Sequence, residues 1–432
     1  MSQPLRVGVA GLGTVGGGVV RLLREQADLL ALRCGRPIVV VAASARDLKK
    51  KRDVDLQGIR LESDPLALAS ARDVDVVVEV MGGSDGPARA LIEAAIANGK
   101  SLVTANKALL ALHGAQIAKL AEAKGTLLGF EASVAGGIPI IKALREGLVG
   151  NRVKRLYGIL NGTCNYILTT MRETKRDFAD VLAEAQKLGY AEADPSFDID
   201  GVDAAHKLSI LAAAAFGAPV NFAGVHVEGI RRVGALDIAF AEELEYRIKL
   251  LGVARETEHG VEQRVHPCMV SNKTPIAHVD GVFNAVVVEG DFVGTAMFQG
   301  RGAGAGPTAS AVVADLVDVA RGHGLPPFVV PTGKLSARPV SPIEKRRGAY
   351  YMRLMVLDRP GVIADVTAAL RDERVSLESM LQHGRSHGPD DSVPVVLVTH
   401  ETEEVAMRRA VTRIAALDTV IEPPNLIRIE DF

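Results

Sequence analysis

Five carboxylates stand close to Lys207 in the stretch KLGYAEADPSFDIDGVDAAHKL, residues 187–208. The carboxylates belong to Glu192, Asp194, Asp198, Asp200 and Asp203. Asp203 and Lys207 are at i and i+4 in a segment predicted to be helical, so their side chains share one face. Burial and the helix N-terminus would lower the pKa of Lys207, whereas Asp203 would raise it. Such a lysine can donate or accept a proton near neutral pH, which indicates a site of proton transfer.

A simpler explanation of the same pair is an ion pair at the start of a buried helix. Beyond Lys207 the segment is apolar apart from Ser209, which implies burial on most sides. An isolated Asp–Lys pair at this spacing is usually structural. The carboxylates upstream favour a polar site, because a structural loop rarely needs so many, but they do not identify a reaction.

A glycine-rich turn follows the first predicted strand. The apolar run at residues 6–11 leads into GLGTVGGG, and apolar residues at helical spacing follow. The first glycine permits a tight turn, the second lets a pyrophosphate approach the backbone, and the third allows close helix–strand packing. The helix N-terminus then offers free N–H groups to phosphates, which favours a dinucleotide site over a turn without a ligand. The predicted contacts are Gly11, Leu12, Gly13, Thr14, Val15 and Gly16.

The second predicted strand is at residues 38–43. In dinucleotide folds that bind NAD, an acidic residue at the end of this strand usually binds the ribose 2′-hydroxyl, but no acid is present here. Arg46 follows instead, and a basic run occupies residues 49–52. Cations here tolerate or favour a 2′-phosphate, so we expect NADP in preference to NAD, although NAD stays possible. Arg46 and Lys49 are the predicted phosphate partners, and the outer residues of the run are expected to be solvated.

The next segments alternate between predicted strands at residues 74–80, 101–104 and 126–130 and predicted helices at residues 86–97 and 108–124. This alternation predicts a mostly parallel sheet that binds ligands at the carboxyl ends of its strands. Lys107 follows one such strand and can reach a cofactor or substrate there, unless it is an ordinary surface lysine. Glu131 follows another and precedes flexible residues, so a carboxylate beside accessible carbonyls could hold sodium or potassium.

The regular alternation ends near residue 135, and a second domain is predicted at residues 135–300. Within it, GILNGTCNYIL predicts a strand, a turn and a helix. Cys164 offers an alternative chemistry, a thiol nucleophile that forms a thioester with His206 or His226 as its base. A buried free cysteine is the commoner outcome.

A second glycine-rich turn and helix at residues 300–322 are predicted to complete the first domain, residues 1–134. A linker rich in proline and basic residues is predicted at residues 323–348. Residues 349–432 predict a separate unit with a βαββαβ plan. Gly361, after Pro360, would present backbone N–H groups at a helix start, where they suit an amino-acid carboxylate.

Composition limits the classes of partner. Of 432 residues, 48% are hydrophobic and 24% charged, with a net charge of −2, so no basic excess attracts nucleic acid or anionic lipid. The three cysteines form no CxxC pair, which argues against a disulfide framework or structural zinc. No apolar run has the length of a membrane span, and the first strand leaves no room for a signal peptide. We therefore expect a cytoplasmic protein.

Together these motifs resemble homoserine dehydrogenases of the long bacterial type. The resemblance covers nearly the whole chain and rests on GLGTVGGG, TANKALLA, EASVAGGIPII, GILNGTCNYIL, LGYAEADPSFDIDGVDAAHKL, EYRIKLL and GRGAGAGPTASAV, with an ACT-like tail. It implies reversible NAD(P)-dependent reduction of L-aspartate 4-semialdehyde to L-homoserine, on the route to threonine, methionine and isoleucine. The implied α/β fold joins a Rossmann-like parallel sheet, an α+β catalytic and dimerisation domain and a ferredoxin-like ACT domain.

The resemblance also implies residue roles. Lys207 matches the acid/base lysine, and Lys107 a second lysine where cofactor and substrate meet. The implied substrate contacts are Glu192, Asp198, Asp203 and Tyr190, and the implied cofactor contacts include Thr104, Lys107, Gly189 and Gly304. A monovalent-cation site is implied at Glu131 and the carbonyls of Val134, Gly136 and Ile138. The tail implies feedback control, most often by threonine, in a homodimer or homotetramer.

Two other functions compete with this interpretation. The first is the thioester-forming aldehyde dehydrogenase that would use Cys164. The second is an amino-acid sensor that binds a nucleotide without catalysis. A sensor would have a degenerate active site, yet Lys107, Glu192, Asp203 and Lys207 are all present.

Overall fold

The structure, a computed structural model, describes residues 3–384 and 391–432. The strands of its first domain are β1 (Leu5–Ala10), β2 (Ile38–Ser44), β3 (Arg60–Glu62), β4 (Val76–Glu79), β5 (Ser101–Thr104) and β6 (Leu128–Gly129). The helices are α1 (Thr14–Glu25), α2 (Ala27–Cys34), α3 (Leu66–Ser70), α4 (Pro87–Ala97) and α5 (Lys107–Lys124). The strands pair in parallel in the order β3-β2-β1-β4-β5-β6, which confirms the Rossmann-like prediction. The order reverses between β1 and β4, where such sheets bind dinucleotides.

Local sequence signals fix the ends of the helix that carries Lys107. The Asn106 side chain accepts the N–H of Leu109 and caps α5, so Lys107 becomes its first residue. Gly125 ends the helix with a φ of 66°, a left-handed conformation that glycine adopts without strain. The Lys107 side chain is therefore held at the carboxyl end of β5.

The second domain has both strands and helices. Its strands are β7 (Val153–Ile159), β8 (His226–Val227), β9 (Tyr246–Thr257), β10 (Gly260–Ser271), β11 (Phe283–Gly290) and β12 (Gly294–Arg301). The helices that follow β6 are α6 (Ile140–Lys142), α7 (Gly162–Thr174), α8 (Phe178–Lys187), α9 (Ser196–Ile199), α10 (Val202–Phe216), α11 (Ala235–Glu243) and α12 (Ala305–Arg321). Helix α6 continues as a π-helical turn at Ala143–Gly147. Short 3₁₀ turns occur at Glu131–Ser133, Phe222–Gly224, Pro275–His278, Thr332–Lys334 and Ile343–Lys345.

Helix α12 returns to the first domain and packs against α1. A Cβ atom on Gly18 would lie 2.7 Å from the carbonyl oxygen of Ala305, so the two helices touch through the glycine backbone. Val312 and Leu316 of α12 are buried in the same apolar cluster as Val9 and Val19. The second glycine-rich turn therefore lies beside the first.

The third domain has the strands β13 (Arg347–Gly348), β14 (Tyr350–Leu357), β15 (Leu377–Gln382), β16 (Ser392–Thr399), β17 (Thr402–Glu403) and β18 (Asn425–Glu430). Its helices are α13 (Val362–Asp372) and α14 (Glu404–Ala415). The order β18-β14-β16-β15, with antiparallel pairing, is ferredoxin-like. The predicted βαββαβ plan is confirmed.

The second and third domains share one ten-stranded sheet in the order β12-β11-β7-β9-β10-β18-β14-β16-β15, with β8 beside β10. Strand β18 pairs in parallel with β10, with Cys268 opposite Arg428 and Val270 opposite Glu430. The separate unit expected at residues 349–432 is thus continuous with the second domain. Pairing between strands so distant in sequence leaves no local signal.

Buried charges accompany this junction. Arg264, of which 1% is exposed, donates to Glu262 and to both carboxylate oxygens of Glu430. Arg428 donates to Glu228 of the second domain and to Glu404 of α14. Within residues 3–384 and 391–432, the one group of three potential metal ligands is His266, Cys268 and Glu430. Arg264 hydrogen-bonds both His266 and Glu430, and its positive charge disfavours a cation there.

The predicted linker at residues 323–348 is packed against the first and second domains. Phe328 is fully buried, and the amide of Thr332 donates to the Glu122 carboxylate of α5. Farther on, the Val261 amide donates to the carbonyl of Pro339, and the Ser341 amide donates to the carbonyl of Val261. The segment therefore has defined contacts along its length, which its composition did not reveal.

No helix within the described part of the chain is long and apolar enough to cross a membrane.

Replacing Asp237 with alanine should destabilise the junction of the second and third domains. Its buried carboxylate accepts hydrogen bonds from Gly234, Tyr351, Arg353 and Asn425. Because its removal leaves the Arg353 guanidinium without its carboxylate, we expect the free energy of unfolding to fall by about 3–5 kcal/mol. Chemical denaturation would measure the loss. The control is Asp53→Asn, at an exposed ion pair, which should change the free energy of unfolding by less than about 0.5 kcal/mol. Equal effects of the two substitutions would contradict a stabilising role of Asp237 at the junction.

Candidate active site

The Asp203 carboxylate lies between two lysines. Its Oδ2 atom is 2.7 Å from Nζ of Lys207, one turn along α10, and its Oδ1 atom is 2.7 Å from Nζ of Lys107. The Lys207 ammonium group also donates to the carbonyl of Leu160, at the end of β7, at 2.8 Å. The first turns of α5 and α10 and the end of β7 thus meet at one carboxylate.

The two lysines differ in exposure. The Lys207 side chain is 10% exposed and that of Lys107 is 37% exposed, so Lys107 faces open space. Burial lowers the pKa of Lys207, and Asp203 only partly opposes this effect. Burial likewise disfavours the charged form of Lys107, but the charge and hydrogen bond of Asp203 outweigh it and raise its pKa. Burial would raise the pKa of Asp203, yet the two ammonium groups hold it below its usual range.

Asn161 links the Asp203 group to the upstream carboxylates. Its Nδ2 atom donates to Asp203 and to Asp198, both at 2.8 Å. The Thr163 hydroxyl lies 3.1 Å from the other oxygen of Asp198 and 2.8 Å from the Tyr190 carbonyl, so its single hydrogen is shared between these two acceptors. Sequence reasoning did not assign roles to Asn161 and Thr163. The position of Asn161 directly before a predicted helix was the available signal, because asparagine often caps helices.

The remaining predicted substrate residues lie on the loop before α9. Glu192 is close enough for its charge to help raise the pKa of Lys107. The ring of Tyr190 packs against Tyr166 with 4.8 Å between centroids, and its carbonyl accepts the Thr163 hydroxyl. Gly189 has a φ of 76° and is exposed. The structure therefore connects Asp198 to Asp203 through Asn161, with Glu192 nearby.

The glycine turn after β1 has the shape of a phosphate cradle. A Cβ atom on Gly16 would lie 1.8 Å from the carbonyl oxygen of Gly11, so this position must be glycine. A Cβ atom on Gly13 would meet no atom within 4 Å, which leaves space over the turn. No side chain of the described residues caps the first turn of α1, at Thr14. These features fit a dinucleotide pyrophosphate.

A buried carboxylate that the sequence did not single out supports the adjacent strand ends. Glu79, fully buried at the end of β4, accepts the amides of Met81 and Gly82 and the hydroxyl of Thr104. Thr104 in turn accepts the amide of Asn106. The Thr104 side chain, predicted to contact the cofactor, is thus engaged within the protein. A single acid in the apolar run VVVE was the available signal.

The basic residues after β2 lie at the edge of this cradle. Arg46 and Lys49 are exposed, with their side chains at the surface. Arg52 is half-buried and donates to the carbonyl of Leu12, in the glycine turn, at 3.2 Å. A cleft of about 680 Å³ is lined by Gly13, Thr14, Arg52 and Ala305, among others. Arg52, expected to be solvated, is therefore part of the surface around the turn.

Cys164 has no features of a nucleophile. Its side chain is fully buried, and burial raises its pKa well above the ordinary value. The ring of His206 packs edge-on against Phe197 and Phe222, and His226 bonds Glu228. The thiolate needed for thioester chemistry is thus disfavoured.

The predicted cation site contains a carboxylate that the protein already uses. The two oxygens of Glu131 accept the amides of Ile141 and Lys142 at 2.9 and 2.7 Å. Burial and the neighbouring carboxyl of Asp315 raise the pKa of Glu131 to about 7. Each oxygen keeps a second lone pair that could face a cation, and a cation would itself lower the pKa of this carboxyl. The site of Glu131 and the carbonyls of Val134, Gly136 and Ile138 stays a prediction.

The cradle and the lysine–carboxylate group define a dinucleotide-dependent dehydrogenase. Family models described as the homoserine dehydrogenase NAD-binding domain, homoserine dehydrogenase and the ACT domain match residues 11–131, 139–317 and 350–416. The homoserine dehydrogenase of Pseudomonas aeruginosa is 48% identical, with 100% of each chain covered. The chain therefore belongs to the homoserine dehydrogenase family, oxidoreductases that act on a CH–OH group. The thioester-forming alternative is thus wrong.

Solved structures agree with this assignment. The chain is similar to a homoserine dehydrogenase from Thiobacillus denitrificans, with a TM-score of 0.93, 50% identity, and 99% of this chain and 98% of that chain covered. It is also similar to a hyperthermophilic archaeal homoserine dehydrogenase in complex with NADPH. That comparison has a TM-score of 0.62 and 27% identity, and it covers 73% of this chain and 97% of the other.

Substitution of two glycines by alanine should separate folding from cofactor binding. Gly13→Ala should fold normally, because its Cβ meets open space, but it should weaken NADPH binding about tenfold or more by blocking the pyrophosphate. Gly16→Ala should instead cost about 1–3 kcal/mol of stability, because its Cβ overlaps a backbone oxygen. Thermal unfolding and NADPH fluorescence titration would measure the two effects. Unchanged NADPH affinity in Gly13→Ala would contradict the cradle assignment.

Proposed function

We propose that the protein reduces L-aspartate 4-semialdehyde to L-homoserine, reversibly, with Lys207 as the acid/base group. The observation that carries this assignment is the Asp203 carboxylate held 2.7 Å from both Lys107 and Lys207. The reaction belongs to the biosynthesis of threonine, methionine and isoleucine. Support for the substrate comes from membership of the family and from the charges gathered at the site.

Reduction of an aldehyde needs one proton at the former carbonyl oxygen. The nicotinamide, when bound, supplies the hydride. Lys207 gives the proton as negative charge develops on that oxygen, and burial eases the transfer because it lowers the pKa of the ammonium group. In the oxidation direction, neutral Lys207 takes the proton from the alcohol. Asp203 keeps Lys207 in place and keeps enough of it protonated for reduction.

The substrate also carries an α-ammonium group and an α-carboxylate. Asp198 and Glu192 are the proposed partners of the ammonium group, with Tyr190 beside them. Lys107 is the more exposed lysine, and its positive charge suits an oxygen of the substrate at the boundary with the cofactor. Opposite charges on the two sides of the pocket would orient an amino-acid substrate.

NADP is the proposed cofactor, with NAD as the weaker alternative. Strand β2 ends in Ser44 without an acid to bind a ribose 2′-hydroxyl, and Arg46 and Lys49 follow. The archaeal relative in complex with NADPH supports this choice. Gly189 and Gly304 are proposed to lie beside the bound dinucleotide.

Regulation and assembly are further proposals. The ACT domain suits an amino-acid effector, for which threonine is the candidate, because Gly361, with a φ of 98°, directly precedes α13 and the N-terminus of a helix attracts a carboxylate. A homodimer or homotetramer and a cytoplasmic location are proposed from the family resemblance and the composition. A sodium or potassium ion, held by Glu131 and the carbonyls of Val134, Gly136 and Ile138, is proposed without a role in the chemical step.

Lys207→Ala should lower turnover on the order of 10²–10⁴-fold, the usual effect of losing a general acid. Oxidation of NADPH with aspartate semialdehyde would measure it in both the wild type and the variant. NADPH binding should be nearly unchanged, since Lys207 is buried in the second domain. Lys154→Ala, at an exposed position, is the control. Near-normal turnover of Lys207→Ala would remove this lysine from the mechanism.

Arg46→Ala should raise the KM for NADPH about tenfold and change the KM for NADH by less than about twofold, because only NADPH carries the 2′-phosphate. Steady-state assays with each cofactor would show the difference. Lys124→Ala, at an exposed lysine outside the cleft beside the glycine turn, serves as the control. Equal effects of Arg46→Ala on the two cofactors would exclude a 2′-phosphate contact.

A further inference from the structure

Asn161 occupies the point where the two catalytic-site carboxylates approach each other. Its side chain is buried, with 4% of the residue exposed. One nitrogen atom, Nδ2, donates to Asp198 Oδ1 and to Asp203 Oδ2, both at 2.8 Å. An amide nitrogen carries two hydrogens, so it can serve both carboxylates at once. The two acids would otherwise repel each other in a partly dry environment.

The orientation of this amide is set by the fold. The Oδ1 atom of Asn161 accepts the amide N–H of Cys164 at 2.8 Å and so caps α7. Because the oxygen is bound to the helix, the nitrogen must face the carboxylates. The reverse orientation would lose the cap and place an oxygen against two negative groups. Helix α7 therefore aims the donor at the site.

Several charged or titratable groups face this point from four elements. They are Lys107 on α5, Cys164 on α7, Asp198 on α9, and Asp203, His206 and Lys207 on α10, with Glu192 on the preceding loop. Cys164 and His206 are neutral at pH 7, because burial raises the thiol pKa and lowers the imidazole pKa. The net charge around Asn161 is therefore set by the two lysines and the carboxylates.

We propose that Asn161 is a positioning residue that holds Asp198, the substrate-ammonium partner, at a fixed distance from Asp203, the partner of the proton-donating lysine. The inference rests on the proposed roles of Asp198 and Lys207. A neutral donor is required, because an acid at this position would add a third negative charge beside Lys207. Asn161 thus couples substrate binding to proton transfer without touching the reacting atoms.

Two substitutions separate positioning from helix capping. Serine and aspartate both cap helices, so Asn161→Ser and Asn161→Asp should keep α7 folded. Neither can donate to both carboxylates. Asn151→Asp is the matched control, since Asn151 also accepts a backbone amide, that of Val293, and donates to a carbonyl, that of Leu148. Activity, thermal unfolding and the pH dependence of kcat in the reduction direction would be measured for all four proteins.

Both variants should lose kcat/KM for aspartate semialdehyde on the order of 10–100-fold, as expected for a misplaced binding group, while the KM for NADPH stays within about twofold. In Asn161→Asp, the added negative charge favours the ammonium form of Lys207. Its pKa rises, so the loss of reduction activity at high pH should begin about one pH unit higher. Asn161→Ser adds no charge and should show no such upward shift.

The outcomes separate the inference from the function on which it rests. A wild type without NADPH-oxidising activity would overturn the proposed reaction and this inference with it. An active wild type whose Asn161→Asp variant keeps the wild-type pH profile and KM would overturn the inference alone. A third outcome is a lower melting temperature together with a loss of activity in which the KM values for NADPH and aspartate semialdehyde change equally. That outcome would show that Asn161 has only a structural role, and it would also overturn the inference.

Discussion

The Asp203 carboxylate is the charge on which the site depends, because both lysines use it as their partner. It can serve them only if the start of α5, in the first domain, reaches the start of α10, in the second. The relative placement of the two domains is therefore part of the electrostatics of the site. A shift of about 1 Å between them would change the protonation of Lys207 as well as the position of Lys107.

Features that depend on neighbouring residues were predictable from the sequence. The i,i+4 pair of Asp203 and Lys207, the glycine turn and the βαββαβ plan all follow from short-range spacing. The donation of Asn161 to two carboxylates was not predictable, because it depends on where α9 and α10 lie in space. The pairing of β18 with β10 and the docking of the predicted linker were missed for the same reason. Contacts between segments distant in sequence leave no periodic pattern.

Two buried clusters of charge in this protein differ in access to solvent. In the Asp203 cluster, the Lys107 side chain is 37% exposed, so a ligand can enter and exchange partners with it. In the cluster at the domain junction, the side chains of Arg264 and Glu430 are 1% and 7% exposed, and each is paired within the protein. The Asp203 cluster is therefore suited to binding and catalysis, whereas the Arg264–Glu430 cluster is suited to holding the two domains together. The carboxylates of the two clusters are both buried, with Asp203 3% and Glu430 7% exposed, so the exposed Lys107 is what distinguishes the clusters.

The parallel pairing of β10 with β18 has a consequence for folding. Residues 260–271 and 425–430 are separated by more than 150 positions, so their pairing closes a very long loop and belongs among the slow steps of sheet formation. Before β18 pairs, part of β10 and one side of β14 are unpaired strand edges, and they expose side chains that are buried in the folded protein. Such edges are templates for association between chains. Pairing of β18 therefore covers both of these edges at once.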